Sequence, residues 1–243
     1  MRRTAIPAAA IGYLAQMTDT ILFDIDGTLV DTNYHHAVAW FRAFRRYDVT
    51  VPVWRIHRAI GMGGDRLVSA VAGEHVEAQY GDQVRTAWKE EFDPMLGEVE
   101  PFDGARDVLV AVKDLGHRLV LASSGAREHV EHYVEMLGFE KIGDRWISGD
   151  DAPATKPDPQ LLLVALDGFD DGRAVMIGDS VWDCEAAKRI NVPCVALRAG
   201  GFGADELKSA GAARVYDSLT ELLVFLDDLP LGEVIRPKPV DHR

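Results

Sequence analysis

Residues 20–31 of the chain read TILFDIDGTLVD, and this stretch decides the fold. Its β-favouring run Thr20–Phe23 ends in two aspartates, Asp24 and Asp26, and the Asp-Gly pair that follows is a turn signal. Burying a carboxylate is costly unless it is paired or metal-bound, so two of them at a strand end predict a site at the carboxyl edge of a parallel sheet. An acidic β-turn gives the same local pattern. The rest of the chain must decide between these two interpretations.

The composition excludes several classes of partner. The chain has 243 residues, 47% of them hydrophobic, which is enough for one full core or one core plus a small second domain. The net charge of −13 leaves no basic field to attract nucleic acid or an anionic membrane. No apolar run approaches the roughly 20 residues of a membrane span. Cys184 and Cys194 form no C-x-x-C motif and are typical of reduced core residues, so we expect a cytoplasmic protein, monomeric or homodimeric.

The two ends of the chain carry no predicted chemistry. Residues 1–16 contain Arg2 and Arg3 followed by a short apolar stretch, which only faintly resembles a targeting peptide. We expect a disordered or loosely packed extension, and Met17 is an alternative start of the native protein. At the other end, Pro237 and Pro239 lie in residues 230–243, where we expect a loose tail.

Residues 33–98 have a helical pattern throughout, with no strand signal. Apolar side chains recur at helical spacing after Asp31, Pro52 begins a second helical segment, and a third runs from about Glu74 to Phe92. The glycine-rich stretch 61–64 follows no strand and lacks the spacing of a nucleotide-binding fingerprint. It predicts a loop, with Gly64 or Asp65 capping the next helix. We therefore expect a helical cap over residues 33–98, inserted into a core of residues 17–32 and 99–229.

From residue 102 onward, strands and helices alternate. This order predicts an α/β fold, a Rossmann-like doubly wound parallel sheet with the helical cap inserted after its first strand. The expected strands after the first are residues 118–122, 145–148, 174–178, 194–197 and 214–216, and the expected helices are residues 105–115, 127–137, 156–166, 181–190 and 219–226.

Three of these strands end in polar chemistry. Ser123 and Asp179 each follow a buried run, as Asp24 and Asp26 do, and Lys156 opens a helix in the same part of the topology. Strand ends of a parallel sheet lie along one edge, so these side chains can converge. Separately, Ser123 and Asp179 are also explained as caps and Lys156 as a solvated lysine. Together they suit Mg²⁺, which takes hard oxygen ligands, facing a phosphate held by the lysine and the serine.

At this point the sequence resembles the haloacid dehalogenase superfamily, in the branch of phosphoglycolate phosphatases and β-phosphoglucomutases with a helical cap. The stretch 24–31, DIDGTLVD, is similar to the first motif of that family and is highly specific. Leu121-Ala-Ser123 resembles the second motif, Lys156-Pro157 the third, and Gly178-Asp179-Ser-x-x-Asp183 the fourth. The match spans residues 20–226 in the expected order.

The resemblance implies a division of roles. Asp24 is then the nucleophile that forms an aspartyl-phosphate, and Asp26 the general acid and base. Mg²⁺ is expected on Asp24, Asp26 and Asp179, with Asp183 behind them. Ser123, Ser124 and Lys156 are expected to hold the phosphoryl oxygens of a small phosphorylated metabolite.

Other candidates and alternatives remain open. In the cap, His36, Arg58 and Arg66 are candidates for substrate contact, whereas His129 and His132 match no ligand motif and are expected at the surface. A sugar phosphomutase is the first alternative, because the segment 31–40 is similar to the corresponding stretch of β-phosphoglucomutases. The second is a catalytically silent domain that binds a phosphorylated ligand or a partner.

Overall fold

The core of the protein is a parallel sheet with β1 in its interior. It is seen in a computed structural model that describes residues 18–169 and 172–236. The strands are ordered β3-β2-β1-β4-β5-β6, and every neighbouring pair is parallel. This arrangement confirms the predicted α/β, doubly wound fold. The strands are β1 (Thr20–Phe23), β2 (Arg118–Ala122), β3 (Arg145–Ile147), β4 (Ala174–Gly178), β5 (Cys194–Leu197) and β6 (Ala212–Tyr216).

The segment between β1 and β2 begins with four α-helices and a 3₁₀ turn. Trp40, Phe44, Leu67 and Val84 belong to a buried apolar cluster of this segment's own, separate from the clusters on the sheet. The helical character predicted for the segment is confirmed, while its division from the core at residues 33 and 98 stays a prediction. The helices are α1 (Asn33–Arg45), α2 (Val53–His57), α3 (Gly64–Ala72) and α4 (Glu74–Phe92), and the 3₁₀ turn is Asp93–Glu98.

The remaining helices cover both faces of the sheet. Strand side chains alternate between the faces, so Ile21 and Phe23 of β1 join one apolar cluster and Leu22 joins the other. Helices α5 (Ala105–Asp114), α6 (Arg127–Met136) and α10 (Leu219–Val224) pack on the first face, and α7 (Gln160–Ala165), α8 (Val181–Arg189) and α9 (Ala204–Ala210) on the second.

The structure corrects the prediction for the chain after β5. Helix α9 was not predicted from the sequence. The tail was expected to be loose, yet Gly232 and Ala174 exchange two backbone hydrogen bonds of 2.8 and 3.0 Å. Ile235 donates its amide to the carbonyl of Ile190 at 2.9 Å. The tail therefore pairs with the beginning of β4 at Gly232 and contacts the end of α8 at Ile235, whereas residues 1–16 and 237–243 lie outside the described part.

Two smaller expectations are also settled. The N-cap of α3 is Gly63 rather than Gly64 or Asp65, because the Asp65 carboxylate accepts the hydroxyl of Thr155 instead of a helix amide. Cys184 and Cys194 are free and buried, with their sulfurs 3.4 Å apart, as expected for reduced core residues. Among the described residues, no helix has the length and apolar character that a membrane span requires.

Candidate active site

Asp24 lies directly after β1 and is almost completely buried. Its Oδ1 is 2.6 Å from Nζ of Lys156, which also lies 2.7 Å from Oδ1 of Asp183. Burial disfavours the charge of Lys156, but the carboxylates of Asp183 and Asp24 outweigh it and raise the pKa of the lysine. Burial also raises the pKa of Asp24. The second oxygen of Asp24, Oδ2, has no hydrogen-bond partner among the described residues.

Lys156 stands four residues before α7, rather than at the head of that helix as the sequence suggested. Its side chain is completely buried, which excludes the alternative of a solvated lysine.

Asp26 is held by three donors. Oδ1 accepts a hydrogen bond from Thr32 Oγ1 at 2.8 Å and lies 3.0 Å from Nε2 of His36, while Oδ2 accepts the hydroxyl of Ser123 at 2.9 Å. Burial alone would raise the pKa of Asp26, but these contacts, led by His36, lower it to about 2. In this arrangement Asp26 is an ionised carboxylate.

Asp179 follows β4 and is held from two sides. Oδ1 accepts the hydroxyl of Thr28 at 3.0 Å, and Oδ2 accepts the side-chain amide of Asn33 at 2.8 Å. Burial and the nearby charge of Asp183 raise the pKa of Asp179 to about 7. Space for this contact depends on Gly200, where a Cβ would lie 1.6 Å from Oδ2 of Asp179.

Asp183 supports the site from the first turn of α8. Its Oδ2 accepts the backbone amide of Ser180 at 3.1 Å while the Ser180 hydroxyl oxygen accepts the Asp183 amide, which together form a capping box. The same Oδ2 also accepts the hydroxyl of Ser180 at 2.6 Å. Its Oδ1 faces Lys156. Both oxygens of Asp183 are therefore occupied by protein donors.

These carboxylates fit a hard metal ion. Asp24, Asp179 and Asp183 are all buried and offer oxygens within 4.8 Å of one another. Asp24 Oδ2 and Asn33 Oδ1 are buried oxygens without hydrogen-bond partners among the described residues. An all-oxygen, acidic donor set of this kind is what Mg²⁺ prefers.

Two serines follow β2. Ser123 donates to Asp26 and accepts the amide of Gly125 at 2.9 Å. The hydroxyl of Ser124 is buried and has no partner among the described residues, and this residue lines a cavity next to the aspartates.

The cavity has a volume of about 480 Å³ and lies between the helical segment and the sheet edge. Asp24, Asp26 and His36 line it at one end. Helix α4 contributes residues that the sequence analysis did not single out, namely Arg85, Thr86, Trp88 and Lys89. Their spacing of three and four residues on a helix was the available signal, but it did not reveal which face of α4 meets the core.

Arg58 and Arg66 do not line this cavity. The Arg58 guanidinium pairs with Glu206 and lies 3.9 Å from the ring centroid of Phe202. Arg66 Nη2 lies 3.2 Å from Oδ2 of Asp158. Both residues connect the helical segment to the core in this structure.

His129 was expected at the surface, and this expectation is wrong. The ring is 2% exposed, and its Nε2 lies 2.8 Å from Oδ1 of Asp93. It also packs against Phe92 with 4.9 Å between ring centroids. His129 is thus a buried histidine that contacts Asp93 and Phe92, and His132 is partly buried.

Comparison with known proteins gives consistent matches. The family described as haloacid dehalogenase-like hydrolase matches residues 18–191. A phosphoglycolate phosphatase of Caulobacter vibrioides is 30% identical over 84% of this chain and 88% of its own length. The validoxylamine A 7'-phosphate phosphatase of Streptomyces hygroscopicus subsp. limoneus is 26% identical over 74% and 86%. A crystal structure of a hydrolase from Pseudomonas syringae has a TM-score of 0.80 and 29% identity, over 87% and 99% of the two chains.

Proposed function

The chain belongs to the haloacid dehalogenase-like hydrolases and is a phosphatase, and from this premise we propose that it hydrolyses small phosphorylated metabolites with Mg²⁺ through an aspartyl-phosphate. One observation carries the proposal. Asp24 presents a buried oxygen, Oδ2, that has no hydrogen-bond partner among the described residues; Asp24 lies beside Lys156 and Asp179 and lines a cavity of suitable size for a small ligand.

Asp24 is the nucleophile. Lys156 holds Oδ1, and Oδ2 has no hydrogen-bond partner in the part of the chain that the structure describes, so the carboxylate has one fixed and one available oxygen. Attack of Oδ2 on phosphorus forms the aspartyl-phosphate and expels the alkoxide of the ester, which splits the hydrolysis into two displacements. Water then attacks the same phosphorus and returns Asp24 to its starting form.

Asp26 transfers the proton in both steps. The ionised form favoured by Thr32, His36 and Ser123 is suited to take a proton from the attacking water. Donation to the leaving alkoxide in the first step requires a protonated carboxyl. A phosphoryl oxygen that takes over the hydroxyl of Ser123 removes one donor from Asp26, which raises its pKa toward that form.

The phosphoryl group is held by groups that the fold fixes in advance. Ser123 and Ser124 follow β2, and the unpartnered hydroxyl of Ser124 is a donor without a competitor among the described residues. The charge of Lys156 is stabilised by Asp183, so it is present when negative charge develops in the transition state.

The metal would be held by Asp24, Asp179 and the backbone carbonyl of Asp26, with Asp183 fixed behind them by Lys156 and Ser180. When bound there, Mg²⁺ supplies positive charge that offsets the charge of the phosphoryl oxygens.

A phosphate-release assay tests the proposal. We expect the wild-type protein to hydrolyse p-nitrophenyl phosphate with MgCl₂ and to lose this activity when EDTA removes the metal. Asp24→Asn should abolish turnover while the melting temperature stays near that of the wild type. Activity that survives both EDTA and Asp24→Asn would refute the proposal.

The alternative of a sugar phosphomutase is supported by His36, which reaches Asp26 from α1. Those mutases have Glu-Asp in the fourth motif, whereas this chain has Gly178-Asp179. A Cβ at residue 178 would lie 2.4 Å from Cγ of Asp183, so this site has no room for the additional carboxylate. We therefore favour the phosphatase, and membership of a hydrolase family argues against a silent domain.

Incubation with β-glucose 1-phosphate separates phosphatase from mutase. We expect free phosphate to be the product without a bisphosphate activator. Glucose 6-phosphate that appears faster than free phosphate would establish the mutase instead.

A further inference from the structure

The cavity contains two long cationic side chains among the described residues, and both are already neutralised. Arg85 Nη2 lies 2.8 Å from Oε1 of Glu77 and 2.8 Å from Oδ1 of Asp82, and its Nη1 donates to the carbonyl of Gly64 at 3.0 Å. The Arg85 guanidinium therefore faces two carboxylates and one carbonyl oxygen of its own helical segment before any ligand binds. Lys89 is also paired with two carboxylates.

Lys89 Nζ lies 2.7 Å from Oδ2 of Asp93 and 2.9 Å from Oε1 of Glu128. The cavity wall also includes Asp65 and Asp150. Asp150 accepts the backbone amide of Arg127 at 2.8 Å and forms no ion pair with a described residue. Away from the phosphate end, the cavity is thus lined by two acidic and two basic side chains, and both basic ones are already paired with carboxylates that lie outside the cavity lining.

This charge distribution disfavours a ligand with a second anionic group. A carboxylate on the leaving group would lose its hydration and meet carboxylates, unless it displaced Glu77 or Asp93 from their cations. A hydroxyl group needs only hydrogen-bond partners. Trp88 Nε1 and Ser124 Oγ are buried polar atoms of cavity-lining residues without partners among the described residues.

Part of the cavity lining is apolar. Trp40 and Trp88 stack with 5.1 Å between ring centroids and line the cavity together with Ile60 and Met62. Indole rings provide large apolar surfaces with a polar edge, which suits a ring that has both C–H and hydroxyl groups. A volume of about 480 Å³ corresponds to roughly 16 waters at about 30 Å³ each, which is room for a ring-sized leaving group.

We infer that the substrate of this site is a phosphate ester of an uncharged, hydroxyl-bearing leaving group such as a sugar, and not of a carboxylate-bearing one such as glycolate. The inference rests on the proposed function. It separates this chain from the phosphoglycolate phosphatases to which it is similar, because Arg85 and Lys89, the two long cationic side chains among the described residues that line the cavity, are both already paired.

A matched pair of substrates tests the inference on the wild-type protein. Glucose 6-phosphate and 6-phosphogluconate have the same number of carbons and differ at C1, which is a ring hemiacetal in the first and the carboxylate of an open chain in the second. Sorbitol 6-phosphate, an open chain without the carboxylate, controls for the loss of the ring, and 2-phosphoglycolate serves as a further carboxylate-bearing substrate. We expect kcat/KM for glucose 6-phosphate to exceed those of the two carboxylate-bearing substrates by at least about tenfold, because like charges brought together at a binding site cost several kcal/mol.

A charge variant tests the cause. In Glu77→Gln/Asp82→Asn the Arg85 guanidinium is released, so we expect the preference for glucose 6-phosphate over 6-phosphogluconate to fall by about tenfold. Glu74→Gln is the control, because it removes one carboxylate charge from an exposed position of the same helix without touching the partners of Arg85. Its preference should equal that of the wild type, and melting temperatures verify that each variant is folded.

The outcomes distinguish the inference from the function on which it rests. Equal or better turnover of 6-phosphogluconate or 2-phosphoglycolate by the wild type overturns the inference and leaves the phosphatase in place. An unchanged preference in the double variant also overturns it, since Arg85 would then not be the reason. Absence of phosphate release from every ester, p-nitrophenyl phosphate included, overturns the proposed function itself.

Discussion

The side chain of Asn33 connects the first residue of α1 to the metal-ligand candidate Asp179. Its amide nitrogen donates to Asp179 Oδ2 at 2.8 Å and lies 3.3 Å from the carbonyl oxygen of Gly200. A Cβ at Gly27, which has φ +76°, would lie 2.2 Å from the same nitrogen. Two glycines thus make room for one contact, which indicates that Asn33 positions the Asp179 carboxylate.

Asn33→Ala should weaken Mg²⁺ binding without unfolding the protein. Residues that orient a metal ligand typically contribute about 10- to 100-fold to metal affinity, and we expect a loss in that range. Calorimetric titration of the metal-free protein with MgCl₂ measures the affinity. Gln79→Ala, which removes an amide from the exposed side of α4, is the control. An affinity in Asn33→Ala equal to that of the control would exclude this role.

At the residue scale, the sequence predicted those site residues whose position is determined by the end of a strand. Asp24, Asp26, Ser123 and Asp179 follow buried apolar runs, and the topology of a parallel sheet places such ends along one edge. Arg85 was missed for a physical reason. It lies on a long helix with charges on several faces, and only the packing of α4 against α1 and α3 selects the face that meets the cavity.

At the scale of elements, the helical segment is held against the core by contacts that do not involve Asp24, Asp26 or Asp179. Arg58 pairs with Glu206, Arg66 with Asp158, and the amide of Gly63 donates to Thr155 Oγ1 at 3.0 Å. We expect the cap to open and close over the site, with hinges at Thr32-Asn33 and at residues 98–102. The ion pairs then favour the closed arrangement seen here.

The double substitution Arg58→Gln/Arg66→Gln should favour cap opening. Each partly exposed pair contributes little, so we expect the amide of Gly63 to exchange with solvent about 2- to 10-fold faster. Hydrogen exchange detected by mass spectrometry of the peptide with Gly63 measures this. Arg46→Gln breaks ion pairs with Glu90 and Glu91 inside the cap and should leave the exchange unchanged. Equal exchange in all three proteins would show that these pairs do not hold the cap.

The contact of the tail with β4 also has an energetic consequence. A Cβ at Gly232 would lie 2.6 Å from Cδ of Pro193 and 3.0 Å from the carbonyl oxygen of Asn191, whereas a Cβ at Gly97 has no atom within 4 Å. Gly232→Ala should therefore destabilise by about 1–3 kcal/mol, at roughly 2–4 °C in Tm for each kcal/mol. Calorimetry compares it with Gly97→Ala. A Tm for Gly232→Ala no lower than that of Gly97→Ala would show that the tail is not packed.

Helix α9 and the pairing of the tail are the two features of the fold that the sequence did not predict. The signals for α9 were present, since Gly203 donates its amide to Glu206 at 2.8 Å and Gly211 ends the helix with φ +116°. The helix has only 7 residues and buries Leu207, so its apolar pattern was too short to be read as periodic. The tail pairing is set by tertiary contact with β4, which no local pattern of residues 230–236 encodes.

At the scale of the whole molecule, Asp19 and Arg173 join two neighbouring strands at the amino-terminal edge of the sheet. Asp19 Oδ1 accepts the backbone amide of Arg173 at 2.9 Å, and Oδ2 accepts Nη2 at 2.8 Å. Burial alone would raise the pKa of Asp19, but the hydrogen bonds from Arg173 outweigh it and lower the pKa. This carboxylate therefore stabilises the fold above its unfolded pKa of about 3.9, and the contribution is lost as the pH falls through the lowered folded value.

Asp19→Asn should lower the Tm at pH 7, and its difference from the wild type should shrink when both are measured near pH 3. Thermal unfolding followed by circular dichroism across this pH range provides the comparison. Asp217→Asn is the control, because its ion pair with Arg198 is largely exposed and is expected to contribute little at any pH. A Tm difference for Asp19→Asn that is constant with pH would contradict the assigned ion pair.

The most direct test of the account is to trap the phosphorylated enzyme. Wild-type protein is mixed with p-nitrophenyl phosphate and MgCl₂, quenched in acid during turnover, digested and analysed by mass spectrometry. We predict one phosphoryl group on the peptide that contains Asp24, and none on that peptide in Asp24→Asn treated in parallel. A phosphoryl group recovered on a different residue, or on the Asp24→Asn protein in equal amount, would contradict the account.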